Sequence, residues 1–600
     1  MSTEKLVPIP CSSLPQDVLA QSINNALPDQ AFTVRIFIKR DSGHQPVNSL
    51  LTGPVEYIDV SDAEAFEAAH SSAQEHLDQL EAYVLSHNLK IIKSNKISGL
   101  KVKGMPADME KAFAVKLENF HYDNHDFRGY RGEVKLPQSI WEIVTCVLGL
   151  DNLPLKVWNV RNQHQYPQSH SGSQEGEITN QAFYEPAFSA QEYQELFHYP
   201  EGEAKGQRLG IIFLGGGYYE ADLRTYMADS LHYSPEKIAR IEQNIKVVSG
   251  ANNPAPSREN LAKIVKSYFT MDPMPQTPIE GNSLEVTVDM NIAVAMAAEA
   301  EFRLYFYQGL SGQNPSLIDI FDIWIEILEE EDDERPNVLS MSFAWTKSFS
   351  DGVLEEMNRL LGLLVAKGVS LFGASADFGS NPGGVVQVQY PAASPWVIAC
   401  GGTNPDVVDG SIVSESVWNQ GYRFNNPSGG TSVSFTASGG GVSDFDLPNY
   451  QEGLFVNAGN GLKPLEKRGI PDIAIGAQAQ KGFILNVAGV MVGSGATSCA
   501  APLCATLIAR INANLPPRFS SQFHLALLYL AKATDAFNQV LEGTNYKPPA
   551  NDLPYQASAT WSGCTGLGSP RGRELQQHWM DWLGKQIVKS ERTVDPKQIE

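Results

Sequence analysis

The segment Val492–Asn512, VGSGATSCAAPLCATLIARIN, sets a glycine-rich turn and Ser498 ahead of an expected helix. Pro502 falls in the first turn of that helix, where its missing N–H has no helical partner to lose. Free N–H groups at a helix start stabilise negative charge, which makes Ser498 a candidate nucleophile. N-capping is the commoner role for a serine there. A serine nucleophile needs a base, most often histidine. No histidine occurs between His232 and His524, and His232 sits in LHYSPEK without glycines or other small residues around it. Chain order alone does not exclude a Ser/His/Asp triad, but nothing in the sequence supports one, and a carboxylate could serve as the base instead. SLEVTVDMNIAVAMAAEAE puts Glu285 and Asp289 four residues apart, on one face of an expected helix. Two carboxyls that close share a proton and titrate apart, so one can act as base while the other tunes it. A solvated face is the ordinary meaning of such a pair. Asp377, in LFGASADFGSNPGG, follows an apolar strand. A carboxyl kept neutral in a dry site donates a hydrogen bond to a developing oxyanion; the alternative is a turn aspartate ahead of Gly379.

These groups must be carried by a large folded chain. Of its 600 residues, 42% are apolar and 19% charged, which fits more than one domain. Lys+Arg is 45 against Asp+Glu 68, a net charge of −23, so the composition argues against nucleic acid or an anionic membrane surface as partner. The start, MSTEKLVPIPCSSLPQD, has no basic stretch followed by an apolar one, so no secretory signal is expected and the compartment stays unassigned. The uncharged run Gly482–Ala509 is broken by Asn486, several glycines and Pro502; it reads as strand, turn and helix, not as a membrane span. Six widely spaced cysteines (Cys11, Cys146, Cys400, Cys499, Cys504, Cys564) form no CxxC pair or Cys/His cluster and read as buried thiols.

The pattern divides the chain in two. Residues 1–161 read as a small α+β unit: FTVRIFIKR is a strand, 62–87 has helical spacing, and LKIIKSNKISGLKVKGM is two strands about a turn. A helix is expected after Pro106 and another in LPQSIWEIVTCVLGL. Residues 162–185 are polar, rich in Gln, Ser and Gly, and read as a linker. Residues 186–586 alternate short apolar runs (LGIIFLGGG, NVLSMSF, GVSLFGAS, GFILNVAG) with helices such as LEEMNRLLGLLVAKG, the signature of an α/β domain with a mainly parallel sheet covered on both faces. Residues 587–600 are a tail. The acidic run Glu329–Glu334 is expected to be a solvated loop.

Taken together, these segments resemble the sedolisin family of serine-carboxyl peptidases, most closely its kumamolisin-like branch. Glu285 and Asp289 match the family's ExxxD helix pair. LSMSFAW resembles its SISWG strand, ASADFG its ASGDSG turn, RGIPDIA its RGVPDVA segment, and ATSCAAP its GTSxxxP motif around the nucleophile. LGGGYYEADLRTYM, PAASPWVIACGGT, ESVWN, SGGGVSDFDLPNYQ and CTGLGSPRG match other segments in order, and residues 32–151, with GMPADMEKAFAV, resemble the activation prodomain. The resemblance implies a subtilisin-like catalytic domain behind a ferredoxin-like prodomain, made as a zymogen whose prodomain inhibits until it is cut in or near the linker. It implies that Ser498 attacks the peptide carbonyl, Glu285 takes and returns the proton, Asp289 orients Glu285, and protonated Asp377 donates to the oxyanion. Such a set works best in acid. Protein or peptide substrates and a monomeric chain are expected.

Some positions depart from the family pattern. The calcium ligands of the family fall here on Gln539 and Ser562, so both anionic ligands are missing, and no tightly bound calcium or other cofactor is expected. Phe213 replaces a supporting glutamate, Phe343 the tryptophan of SISWG, Ala496 the glycine before Thr497, and Gln389 the aspartate of a DFP-type segment near the cleft. Two other readings stay open: a tripeptidyl-peptidase of the same family, and a non-catalytic homologue acting as a binding protein.

Overall fold

The computed structural model describes residues 4–9, 22–23, 30–40, 71–122, 125–153, 155, 157–159, 187–250, 257–263, 278–307, 315–345, 350–380, 388–425, 432–459, 461–478, 481–516, 524–546 and 555–593. The linker 162–185 and Cys11 lie outside the described residues, as do Asp62–His70 of the expected first helix.

The N-terminal unit is built on a four-stranded antiparallel sheet. Its elements are β1 (Phe32–Ile38), α1 (Gln74–Ser86), β2 (Lys90–Asn95), β3 (Gly99–Gly104), α2 (Pro106–Phe113) and β4 (Val144–Leu148), in the sheet order β2-β3-β1-β4. That β-α-β-β-α-β order is ferredoxin-like. Leu77, Leu80 and Val84 of α1 and Met109, Ala112 and Phe113 of α2 share one apolar core with Val34 and Ile36 of β1. The expected helix in LPQSIWEIVTCVLGL is a correction: only Gln138–Trp141 is helical, and Val144–Leu148 is strand β4. The β-branched Val144, Thr145 and Val147 suit a pleated strand, and pairing with β1 satisfies its backbone.

Next along the chain come β5 (Val157–Asn159), β6 (Arg208–Phe213), β7 (Ile245–Ser249), α3 (Pro278–Met296), β8 (Glu301–Phe306), α4 (Leu317–Leu328), β9 (Val338–Met341), β10 (Phe343–Trp345) and α5 (Asp351–Ala366). After them come β11 (Ser370–Ala374), β12 (Val397–Val408), β13 (Ser411–Val417), β14 (Ile473–Gly476) and α6 (Thr497–Asn514). The large sheet runs β7-β8-β6-β9-β11-β12-β13, with β14 also on β12; every pair is parallel except β12–β13. Its central strands are buried on both faces, which explains their uninterrupted apolar runs. Both α3 and α6 are buried helices packed against each other. In α6 every residue from Thr497 to Asn512 is buried, so Ser498 is held by the core itself.

Two further corrections concern local structure. GFILNVAG is not a strand of the parallel sheet. Phe483–Val487 forms an antiparallel hairpin with Val490–Ser494, closed by Ala488 and Gly489 at φ 54° and 82°, the left-handed pair that a tight two-residue turn requires. Pro502 lies inside α6, in its second turn, and there removes the N–H that would have bonded the Ser498 carbonyl.

The two units meet along β1, β2 and β3 on one side and α4 and α5 on the other. Arg35 and Lys101 pair with Asp322 at 2.6 and 2.7 Å, Arg40 with Glu356 at 3.2 Å, and Lys93 with Glu329. Each described pair across the interface puts the cation on the N-terminal unit. The acidic run is therefore not simply solvated: Glu329 joins this interface, and Glu330 accepts from Tyr305 and Arg303. Beyond the interface, β5 pairs antiparallel with β10, Val157 opposite Trp345 and Asn159 opposite Phe343.

Candidate active site

Glu285 and Asp289 lie one turn apart on α3, whose residues 282–296 are all buried. Asp289 is fully buried and Glu285 is 8% exposed. The Ser498 hydroxyl acts on the Glu285 carboxyl, although no well-aligned hydrogen bond closes between them. Catalytic hydrogen bonds are commonly loose before substrate arrives. Asp377 lies close enough to Glu285 for its charge to be felt, so the structure brings all four expected residues into one buried cluster.

Ser498 is not an N-cap. The cap position is Ala496, and Ser498 is the second residue of α6. The first residue, Thr497, ties α6 to the turn after β11: its N–H and its hydroxyl both donate to Asp377 Oδ1, at 2.9 and 2.6 Å. Asp377 Oδ2 is buried and has no partner. That turn is pinned from behind by Gly439, whose N–H donates to the Ala376 carbonyl at 2.6 Å. A Cβ at Gly439 would come within 1.9 Å of the Ser375 carbonyl oxygen, so only glycine allows the approach. Ala376 and Ala496 stand where the ASGDSG and GTSxxxP motifs carry glycine, and both keep a glycine-like backbone, at φ 79° and 78°. They flank the two residues joined by the Thr497–Asp377 bonds.

Electrostatics divides the carboxyls. Burial, then the charges of Asp289 and Asp377, push Glu285 well above the usual carboxylate range, while the Ser498 hydroxyl pulls it back. Burial pushes Asp289 up as well, opposed by the Ser342 hydroxyl, which donates to Oδ1 at 3.0 Å. Asp377 is pushed up to about 6 by burial, against the two Thr497 bonds. At pH 5 Asp377 is thus mostly neutral, beside a carboxyl pair that burial pushes toward its protonated form. Chemically it offers a hydroxyl, a base and a neutral acid donor, the requirements of acyl transfer.

Sequence reasoning missed Thr497 and Ser342 as site residues. Thr497 adjoins the nucleophile in its motif. The signal for Ser342 was its place in LSMSFAW, between β9 and β10. The second-tier replacements are apolar: Phe213 packs on Phe306 with ring centres 4.8 Å apart, and Phe343 stacks on Trp345 at 5.7 Å. Gln389 is buried with both amide atoms unpartnered.

Gln539 and Ser562, the positions that match the family's calcium ligands, supply no carboxylate. Ser562 Oγ is taken up in its own turn, accepting from Cys564 N and Thr565 N at 3.4 and 3.1 Å and meeting Thr565 Oγ1 at 3.0 Å. Asp535 is turned to His578 at 2.6 Å. Among the described residues no group of three or more His, Cys, Asp and Glu side chains could hold a metal. Nearby, Glu415 accepts from Thr403 Oγ1 at 2.6 Å and from Ser569, which in turn accepts from Asn538 at 3.0 Å. Cys146, Cys400, Cys499, Cys504 and Cys564 are buried free thiols. No described helix is long and apolar enough to cross a membrane.

Residues 20–153 match the family model described as the pro-kumamolisin activation domain. The chain is 31% identical over 521 residues to kumamolisin of Bacillus sp. (strain MN-32), covering 86% of this chain and 85% of that protein. It is 24% identical over 485 residues to sedolisin of Pseudomonas sp. (strain 101), covering 78% and 72%. In structure it is similar to Pseudomonas sedolisin, a serine-carboxyl proteinase solved with two molecules of pseudo-iodotyrostatin, with a TM-score of 0.50 and 22% identity over 66% of this chain and 98% of that one, a likeness of fold.

Proposed function

Since the chain belongs to the sedolisin family of serine-carboxyl peptidases, in its kumamolisin-like branch with an activation domain, we propose that Ser498, Glu285, Asp289 and Asp377 carry its peptidase chemistry. Ser498 Oγ attacks the peptide carbonyl as its proton passes to Glu285. The carbonyl electrons move to an oxyanion that accepts a hydrogen bond from protonated Asp377. Glu285 then returns the proton to the leaving amine, the C–N bond breaks, and an acyl-enzyme remains on Ser498 until water repeats the sequence. The observation that carries the assignment is the Thr497 clamp, which leaves the buried Asp377 Oδ2 free as the only oxygen able to carry the donated proton.

Endopeptidase action is the reading we adopt over tripeptide release. The segment on β10, Val157–Asn159, is internal to the chain, so that strand edge accepts a polypeptide continuing in both directions. In the zymogen the same segment fills the substrate strand, and the N-terminal domain is the inhibitor. The altered residues at 539 and 562 support a protein that works without bound calcium. The test is incubation of the full chain at pH 4: cleavage into two fragments in or near residues 162–185 is expected, with none in Ser498→Ala. Intact full-length protein under these conditions would favour the non-catalytic homologue.

A further inference from the structure

Ser342 is the junction between β10, on which the chain's own Val157–Asn159 pairs, and the Glu285–Asp289 pair. It lies between β9 and β10, is 2% exposed, and donates to Asp289 Oδ1. Its neighbour Phe343 begins the edge on which an extended chain pairs. The far end of β10 is fixed too: Trp345 and Tyr390 exchange backbone hydrogen bonds at 2.8 and 3.0 Å. The backbone around Ser342 is therefore anchored on both sides when a chain is seated.

Among the described residues Ser342 is the one hydrogen-bond partner of the Asp289 carboxyl, whose other oxygen, Oδ2, has none, like Oε1 of Glu285. With Oδ1 accepting from Ser342, a proton on Asp289 is confined to Oδ2. We propose that Ser342 is a positioning residue for the peptidase reaction: it fixes which Asp289 oxygen holds the proton shared with Glu285, and it sets the acid limit of activity by favouring the ionised pair. This rests on the catalytic roles proposed above.

The groups facing Asp289 are few. Glu285 lies on its own helix, Ser342 comes from the β9–β10 junction, the buried Cys499 thiol of α6 lies close enough to feel its charge, and no described cation contributes to its shift. A single neutral donor is thus the only described group that favours the charged form. Without it, burial acts unopposed and the pair holds its first proton to higher pH.

The experiment compares wild type with Ser342→Ala, Ser342→Cys and Ser342→Thr, following kcat and KM on one peptide substrate from pH 2 to 7. For Ser342→Ala the expected result is a roughly tenfold fall in kcat, little change in KM because the β10 backbone is intact, and an acid limb moved up by about one pH unit, the equivalent of one lost hydrogen bond to a charged group. Ser342→Thr restores both the limb and kcat, and Ser342→Cys, a weaker donor of similar size, falls between. An acid limb at the wild-type position in both the Ala and Cys variants overturns the proposal, as does a loss confined to KM. If Ser342→Ala does not fold, the Cys and Thr variants decide the matter by the same limb. Full activity in Ser498→Ala would instead overturn the catalytic assignment and leave Ser342 as a structural hydroxyl.

Discussion

Asp377→Asn separates a proton-donating role for this residue from a structural one. Thr497 N–H can only donate, so Oδ1 must accept, and an asparagine here is forced to place its carbonyl at Oδ1 and its amide nitrogen at Oδ2. The variant therefore keeps a donor where the wild type needs one, with no titration. In the wild type the donor exists only while Asp377 is protonated, and its pKa lies at about 6. Protonation then falls from about nine-tenths at pH 5 to about one-tenth at pH 7, a loss of roughly tenfold in kcat/KM across that interval. Asp377→Ala should lose about 10²–10³-fold at pH 4–5, where the wild-type donor is present, the usual effect of removing one oxyanion donor, and the gap should narrow as pH rises through 6. Asp377→Asn should lose less than that at pH 4, and its activity should no longer descend near pH 6. The assay is kcat/KM for a quenched peptide from pH 3 to 8 on processed protein. The reasoning fails if the Asn variant keeps the descending limb near pH 6, or if it is as inactive as the Ala variant.

Two other predictions concern stability. Ala496 holds φ 78° and ψ 167°, a region nearly reserved for glycine that costs other residues about 1–3 kcal/mol. Ala496→Gly should relieve that strain, offset by about 0.4–1 kcal/mol of chain entropy, so its denaturation midpoint should rise; a fall would show that the alanine is unstrained. The C-terminal strands are tied together by Glu415 and its hydroxyl donors, Thr403 and Ser569. Burial raises Glu415 from 4.5 to about 7, so the folded state binds its proton more tightly than the unfolded state. Its contribution, about 3 kcal/mol, is fully present below pH 4.5 and is lost as pH rises through 7. A chelator should leave the thermal midpoint unchanged, raising the pH from 5 to 8 should lower it, and Glu415→Gln should remove much of that pH difference. A midpoint that falls on chelation would reinstate a bound cation.

Much of the site could be read from residue order because its chemistry is local to short motifs. Glu285 and Asp289 are four apart on one helix, Ser498 lies at the start of another, and the motifs around them, in a stretch without histidine from His232 to His524, resemble those of a carboxyl-based peptidase. What could not be read was set by long-range contact. That Thr497 clamps Asp377 depends on α6 meeting the turn after β11, 120 residues earlier in sequence. Ser342 reaches Asp289 across 53 residues. The same limit misassigned Val144–Leu148 as helix, where pairing with β1 decides, and left Phe483–Val487 in the wrong sheet, where the left-handed turn at Ala488 and Gly489 decides. Glu329 looked solvated because nothing in an acidic run reveals that Lys93 of another domain covers it.

The central claim is that carboxyls do the work a histidine does elsewhere, and the pH dependence of kcat/KM for the processed wild-type protein tests it most directly. A maximum below about pH 6, descending as Asp377 loses its proton, is the predicted result. A maximum at or above pH 7 would contradict it.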